Sequence, residues 1–175
     1  MGPVRRRSIR LPGYDYASPG AYFVTVCSLQ RRPVFGEVVH DQVRLSPLGG
    51  IAVESWQWLS VQYAYAVLDE WILMPNHLHG ILILREDITG AGRGGSRAAP
   101  TTSRRKTLGE LMGAFKTVST KRINVLRGTP GEPVWQRGYY EHIIRGEAEL
   151  RRARDYIVSN PIRWAVDRRE PPRRM

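Results

Sequence analysis

A nearly continuous apolar run from 21 to 29 (AYFVTVCSL), β-branched and aromatic, predicts a strand. Segments 34–39 and 42–45, around His40-Asp41, predict a hairpin. A helical period follows. Ser46-Pro47 offers an N-cap with Pro at the first helical position, and Leu48, Ile51, Ala52, Trp56 and Leu59 recur at helical spacing to about 60. Two further strand segments, 67–74 and 77–84, are broken by Pro75-Asn76; both faces of the second are apolar, as in a central strand covered on both sides. Thr107 and Glu110 have capping-box spacing and open a helix whose stripe is Leu108, Leu111, Met112, Phe115 and Val118. After a Gly- and Pro-containing turn at 128–133, the segment 134–145 reads as extended. A last helix runs from near Glu147 to near Pro161. The order predicts an α+β fold, an antiparallel β-sheet with helices packed on it.

The remaining stretches lack such patterning. Residues 1–13 read as a flexible basic arm, 88–106 (Gly, Ser, Arg and Pro) as a mobile loop, and 168–175 as a basic tail, around one domain spanning 14–167. A length of 175 residues suits one domain with a real core. No apolar run approaches the roughly 18 residues that span a bilayer, so no membrane is expected. The opening has no apolar stretch behind Arg5, Arg6 and Arg7, so it does not read as a signal peptide, and the cytoplasm is the expected compartment. The single cysteine, Cys27, excludes an internal disulfide and reads as a buried structural thiol.

Charge changes the picture. The formal net charge is +11 and nearly all of it is arginine; the only lysines are Lys106, Lys116 and Lys121. A chain this basic points to nucleic acid or another polyanion, and arginine's planar fork suits phosphate oxygens and bases. The competing account is an Arg-rich codon usage with no functional meaning. Candidate phosphate contacts are Arg5, Arg6 and Arg7 in the arm, Arg104, Arg105 and Lys106 at the end of the loop, then Lys116, Lys121, Arg122 and Arg137. Solvated surface charge is the alternative for about half of them.

The sharpest local feature is MPNHLHGILIL at 74–84. Residues two apart on a strand share a face, so His77 and His79 point together while Leu78 points away. Two converging imidazoles make half of a metal site, or two half-buried histidines satisfied by hydrogen bonds. Something must cover their face. The last helix offers Tyr156 at the edge of its apolar stripe (Leu150, Ala153, Ile157), with Asn160 one turn further on. Docked over the histidines, it would aim a phenol and an amide oxygen at one point; an interfacial tyrosine and a helix-ending Asn before Pro161 read equally well from periodicity.

MPNHLHGI at 74–81, WQRGYYEHIIR at 135–145 and DYIVSNPIRW at 155–164, in this order, resemble the single-tyrosine HUH transposases, especially the REP-associated tyrosine transposases of bacteria. RRRSIRLPGYDY at 5–16, FGEV at 35–38 and FKTVSTKRIN at 115–124 extend the resemblance over most of the chain. It implies a ferredoxin- or RRM-like palm, with His77 and His79 binding a divalent ion, Asn160 as third ligand and Tyr156 as nucleophile. It further implies metal-dependent cleavage and strand transfer of single-stranded or hairpin DNA through a 5′-phosphotyrosine link, leaving a free 3′-hydroxyl. Insertion-sequence relatives often carry Gln as the third ligand; Asn followed by Pro is the REP-associated form. The two groups of relatives point to a dimer and a monomer respectively.

Imidazole and amide-oxygen ligands suit Mn²⁺ well and Mg²⁺ acceptably, and no cysteine is expected near the site, which disfavours structural zinc. Tyr139 and Tyr140 are rival tyrosines, read as base-stacking or core residues; Tyr63 and Tyr65 lack partners at metal spacing. His142 reads as structural, or else as a base or supporting group. Two other functions fit the sequence: a non-catalytic nucleic-acid-binding protein derived from a transposase, and a nicking enzyme of the replication-initiator or relaxase kind, usually a larger chain.

Overall fold

A computed structural model describes residues 13–86 and 105–169. The arm residues Arg5, Arg6 and Arg7, most of the expected loop including Arg104, and the end of the basic tail lie outside the described residues.

Strict alternation sets the first strand, β1 (Gly20–Cys27): Tyr22, Val24 and Val26 are fully buried, and Phe23 and Thr25 face the other way. A short 3₁₀ turn, Leu29–Arg31, leads to the hairpin β2 (Gly36–Val39) and β3 (Gln42–Leu45). His40 and Asp41 both take positive φ (48° and 59°) between its strands, the backbone that a two-residue hairpin turn needs. Helix α1 (Pro47–Gln62) starts where Ser46 accepts a hydrogen bond from the Gly49 N–H. Strands β4 (Ala66–Met74) and β5 (His77–Leu84) follow. Both halves of the capping box form at the start of α2 (Leu108–Arg127), and Gly128 closes that helix in the left-handed conformation. Strand β6 (Tyr140–Ile144) and the helices α3 (Glu147–Val158) and α4 (Asn160–Arg169) complete the chain.

The main sheet has the order β4-β5-β1-β6, with each pair antiparallel. Setting the β2–β3 hairpin aside, the connectivity is β-α-β-β-α-β, the ferredoxin-like arrangement that the sequence reading expected. Helices α1 and α2 cover one face over a core built on Tyr22, Val24, Leu78, Leu82, Trp56, Leu59, Leu111 and Phe115. Helix α3 lies on the opposite face over a smaller cluster of Ile81, Ile144 and Ile157. No described helix is long and apolar enough to cross a membrane.

Three boundaries differ from the sequence reading. Only 140–144 of the extended segment 134–145 joins the sheet; Trp135 makes an isolated bridge to Ser28 and buries its ring against Phe35 and Phe115 instead. In α2, Val118 is only partly buried, while Ser119 and Ile123 are buried. The last helix does not stop near Pro161: α3 ends at Val158, and α4 restarts at Asn160 with Pro161 in its first turn, where Pro's missing N–H costs nothing.

Candidate active site

His77 and His79 stand on the α3 face of β5, as the parity of a strand requires, and both are nearly buried, at 8% and 6% exposure. Between them Leu78 points into the larger core. Next to them, Gly80 lies against Trp56: a Cβ there would come within 2.6 Å of the indole, so only glycine lets α1 approach the sheet this closely.

Each imidazole is held by its Nδ1. His77 Nδ1 lies 2.7 Å from Asn76 Oδ1; the Asn76 amide nitrogen donates to the Arg31 carbonyl, which leaves Oδ1 as the acceptor. His79 Nδ1 lies 2.8 Å from the Thr25 hydroxyl, directly across the strand pair. Asn76 Oδ1 can only accept, so the proton of neutral His77 sits on Nδ1; the Thr25 hydroxyl can accept from or donate to His79 Nδ1, and the two Nε2 atoms face one another 3.0 Å apart. Burial, and then the Arg31 guanidinium, push the His77 pKa down to about 4, against an opposing hydrogen bond to Asn160. Burial, then His77, then Arg31, push that of His79 down to about 3. Both rings are therefore neutral at pH 7.

With the His79 proton on Nε2, His79 donates to His77; with it on Nδ1, two lone pairs face one another and are satisfied by a cation between them. The residues fit a cation. Ligands at right angles on an octahedral ion with bonds of about 2.1 Å stand about 3.0 Å apart, the spacing of the two Nε2 atoms. The outer nitrogens are tied to oxygen acceptors, the usual support of metal-binding imidazoles. Buried Asn160 reaches His77 and brings an amide oxygen. Among the described residues no group of three or more His, Cys, Asp or Glu is placed to hold a metal, and the Asn160 amide is the oxygen donor seen to reach His77.

Tyr156, 38% exposed, sets its ring edge-on against His79, with centroids 5.2 Å apart, and against Phe23 at 6.0 Å. The Arg163 guanidinium lies 5.3 Å over the same ring. Helix α3 is fixed by buried Ile157 and by Arg154, whose guanidinium grips both oxygens of Asp69 on β4 at 2.9 and 3.2 Å. Asn160 belongs to α4 rather than to the helix of Tyr156, but the nearly continuous backbone through Ser159 keeps it about one turn on. Trp164 of α4 closes over His77 at 5.8 Å between ring centroids.

The basic candidates divide. Lys121 and Arg137 are exposed. Lys116 is not available as a phosphate contact: its ammonium donates to the carbonyls of Gln136, Arg137 and Gly138 at 2.9, 3.3 and 2.8 Å, tying down the segment that precedes β6. Arg122 binds Glu54 and Ser55 of α1. Arg105 stacks 4.5 Å over Tyr65 and donates to the Arg85 carbonyl, and the Lys106 N–H donates to the Tyr65 hydroxyl. Tyr63 and Tyr65 pack together by the far end of β5 from His77. Tyr139 lies under the Lys116 ammonium, whereas Tyr140 is exposed on β6. His142, also on β6, pairs with Glu149 at 2.5 Å.

Cys27 corrects an expectation. It is half-buried, and strand register sets it directly opposite His77, which distance in sequence concealed. The sequence reading also missed Arg31, Thr25 and Asn76. Thr25 could have been found by parity, since it shares the face of Phe23; Arg31 could not, because it sits in a left-handed turn (φ 54°, as at Gln30) bound to Asn76 from 45 residues away.

No family model matches the chain. It is 35% identical over 170 residues, 95% of its own length and 93% of the other's, to an uncharacterised protein of Haemophilus influenzae. Its fold is similar to that of a REP-associated tyrosine transposase solved bound to a REP hairpin, with a TM-score of 0.56 at 19% identity over 94% of this chain and 74% of that one.

Proposed function

The chain belongs to one family with the Haemophilus influenzae protein and shares its fold with a REP-associated tyrosine transposase, and from that premise we propose that it cleaves and rejoins single-stranded or hairpin DNA through Tyr156. The observation that carries the reading is the edge-on contact of the exposed Tyr156 ring with His79, whose Nε2 faces that of His77.

In the forward step the Tyr156 oxygen attacks the scissile phosphorus. The new bond is P–O(Tyr), the P–O3′ bond breaks, and its electron pair goes to the 3′ oxygen. That oxygen takes up a proton and leaves as a hydroxyl, while the phenol proton passes to solvent. The phosphotyrosine ester keeps the energy of the broken bond, so a 3′-hydroxyl can attack it and reverse the step without ATP. His77, His79 and Asn160 are the residues that would hold a divalent cation, Mn²⁺ or Mg²⁺. When bound, such an ion draws charge from the phosphate and stabilises the transition state. Asn76 keeps His77 in the tautomer that leaves Nε2 free, and Thr25, accepting from His79 Nδ1, would do the same for His79 with the cation bound. Phe23 and Arg163 fix the phenol ring. Exposed Arg137 and Lys121 serve the DNA backbone. In this reading Tyr156, His77, His79 and Asn160 are all supplied by one chain.

The test is covalent capture. Protein incubated with single-stranded oligonucleotides from the flanks of its own gene, plus Mn²⁺, should give a denaturation-resistant adduct that chelator prevents. Tyr156→Phe should abolish the adduct and leave DNA binding within about twofold, since it removes one hydroxyl at a partly exposed position. Binding without any adduct from the wild-type chain would return the protein to the non-catalytic nucleic-acid binders. An adduct surviving in Tyr156→Phe would move the nucleophile to another tyrosine.

A further inference from the structure

Beside Tyr156, an open cleft of about 450 Å³ runs between α3 and the edge strand β6. Tyr156, His79 and Thr25 line its inner end, and the reaction proposed above uses only that end. Phe23 forms part of its floor, and Tyr140, 44% exposed, stands edge-on to that ring at 6.4 Å. Its far side is polar. Glu149 accepts from the His142 ring through Oε1 at 2.5 Å and from the Arg145 N–H through Oε2 at 2.7 Å, so the carboxylate is fixed, with a second lone pair on each oxygen left over. Arg152 lines the same side.

Aromatic faces on one side and a fixed acceptor with a cationic donor on the other suit a flat heterocycle with a hydrogen-bonding edge. Paired bases hide that edge and stack on each other, so the occupant must be unpaired. Tyr156 lines the cleft, and a phosphate within its reach carries its neighbouring nucleotide there. We infer that this cleft receives one unpaired nucleobase next to the scissile phosphate, stacked on Tyr140 and read by Glu149 and Arg152. The inference rests on the cleavage reading and adds the residues that set its sequence preference. A carboxylate accepts from the exocyclic amine of adenine, cytosine or guanine, whereas thymine offers it only an N3–H flanked by two carbonyl oxygens that repel it, so thymine is the base it disfavours.

The experiment uses the full chain with Mn²⁺ and a pool of single-stranded oligonucleotides carrying six random nucleotides, with covalent adducts recovered and sequenced. The wild-type protein should deplete thymine on the order of tenfold at one position adjoining the cleaved bond. Glu149→Gln, whose amide can donate to a thymine carbonyl, should erase that depletion. Tyr140→Ala should lower adduct yield about tenfold for all four bases while keeping their order. An abasic nucleotide at that position should lower the wild-type yield in the same way, a check that needs no variant. A wild-type profile flat next to the cleaved bond, or a Glu149→Gln profile unchanged from wild type, overturns the inference and leaves the cleavage reading standing. Absence of any adduct from the wild-type chain overturns the cleavage reading and this inference with it.

Discussion

Thr25 and Asn76 do no chemistry in the proposed site, but each holds a histidine Nδ1, and Asn76 keeps the His77 proton there. Thr25→Val keeps the side-chain volume and removes the hydrogen-bond partner of His79 Nδ1. Mn²⁺ affinity, followed by calorimetry on the DNA-free protein, should fall about 10–100-fold with little change in stability. His77→Ala or His79→Ala should remove measurable binding, because each takes away one of two imidazoles. Unchanged Mn²⁺ affinity in all three variants would leave the histidines as a buried hydrogen-bonded pair. Gly80 works by absence. In Gly80→Ala the new methyl meets the fully buried Trp56 ring, and unfolding in urea should show a loss of about 1–3 kcal/mol.

At the scale of elements, α3 is the weakly held piece. It buries one residue fully, Ile157, whereas α1 and α2 share the larger core. What orients it is the two-pronged Arg154–Asp69 contact to β4. This pair is partly exposed, so its coupling in a double-mutant cycle with Arg154→Ala and Asp69→Ala should be about 1 kcal/mol. Its effect on catalysis should be larger than its effect on stability, since a small shift of α3 moves Tyr156 away from His79. Adduct formation at saturating DNA should slow at least tenfold in Arg154→Ala. A normal rate there would mean that Ile157 alone sets the helix. The 134–139 segment depends in the same way on Lys116, whose three carbonyl bonds are the physical reason it reads as basic in sequence and acts as a brace in the fold.

Across the whole molecule, a net charge of +11 predicts salt-sensitive binding of a polyanion, but the cations are unequal. Lys121 and Arg137 are exposed, while Lys116, Arg105 and Arg122 are spent on carbonyls, an aromatic ring and a carboxylate. Lys121→Ala and Arg137→Ala should each reduce the log–log salt slope for single-stranded DNA by about 0.7. Lys116→Met should leave that slope unchanged and lower stability. Binding titrations over a salt series, with thermal melts alongside, check both. A Lys116→Met slope reduced as much as that of Arg137→Ala would count against its role as a brace.

Local physics made much of this legible in the chain alone. Apolar runs rich in β-branched and aromatic residues marked β1 and β5, and the two-residue parity of a strand placed His77 and His79 on one face and Leu78 on the other. Ser46-Pro47 and the Thr107–Glu110 box marked two helix starts, because capping is decided within one turn. The spacing of Tyr156 and Asn160 survived even though a helix boundary falls between them. Distance in the chain hid the rest. Only the packed sheet brought Thr25 to His79, Cys27 opposite His77 and Arg31 to Asn76, since strand register is a property of two segments and is written in neither. Only the docking of α3 decided that the covered face was the histidine face, and only burial turned Lys116 inward. Those outcomes depend on which surfaces exclude water together, and that is settled when the elements meet.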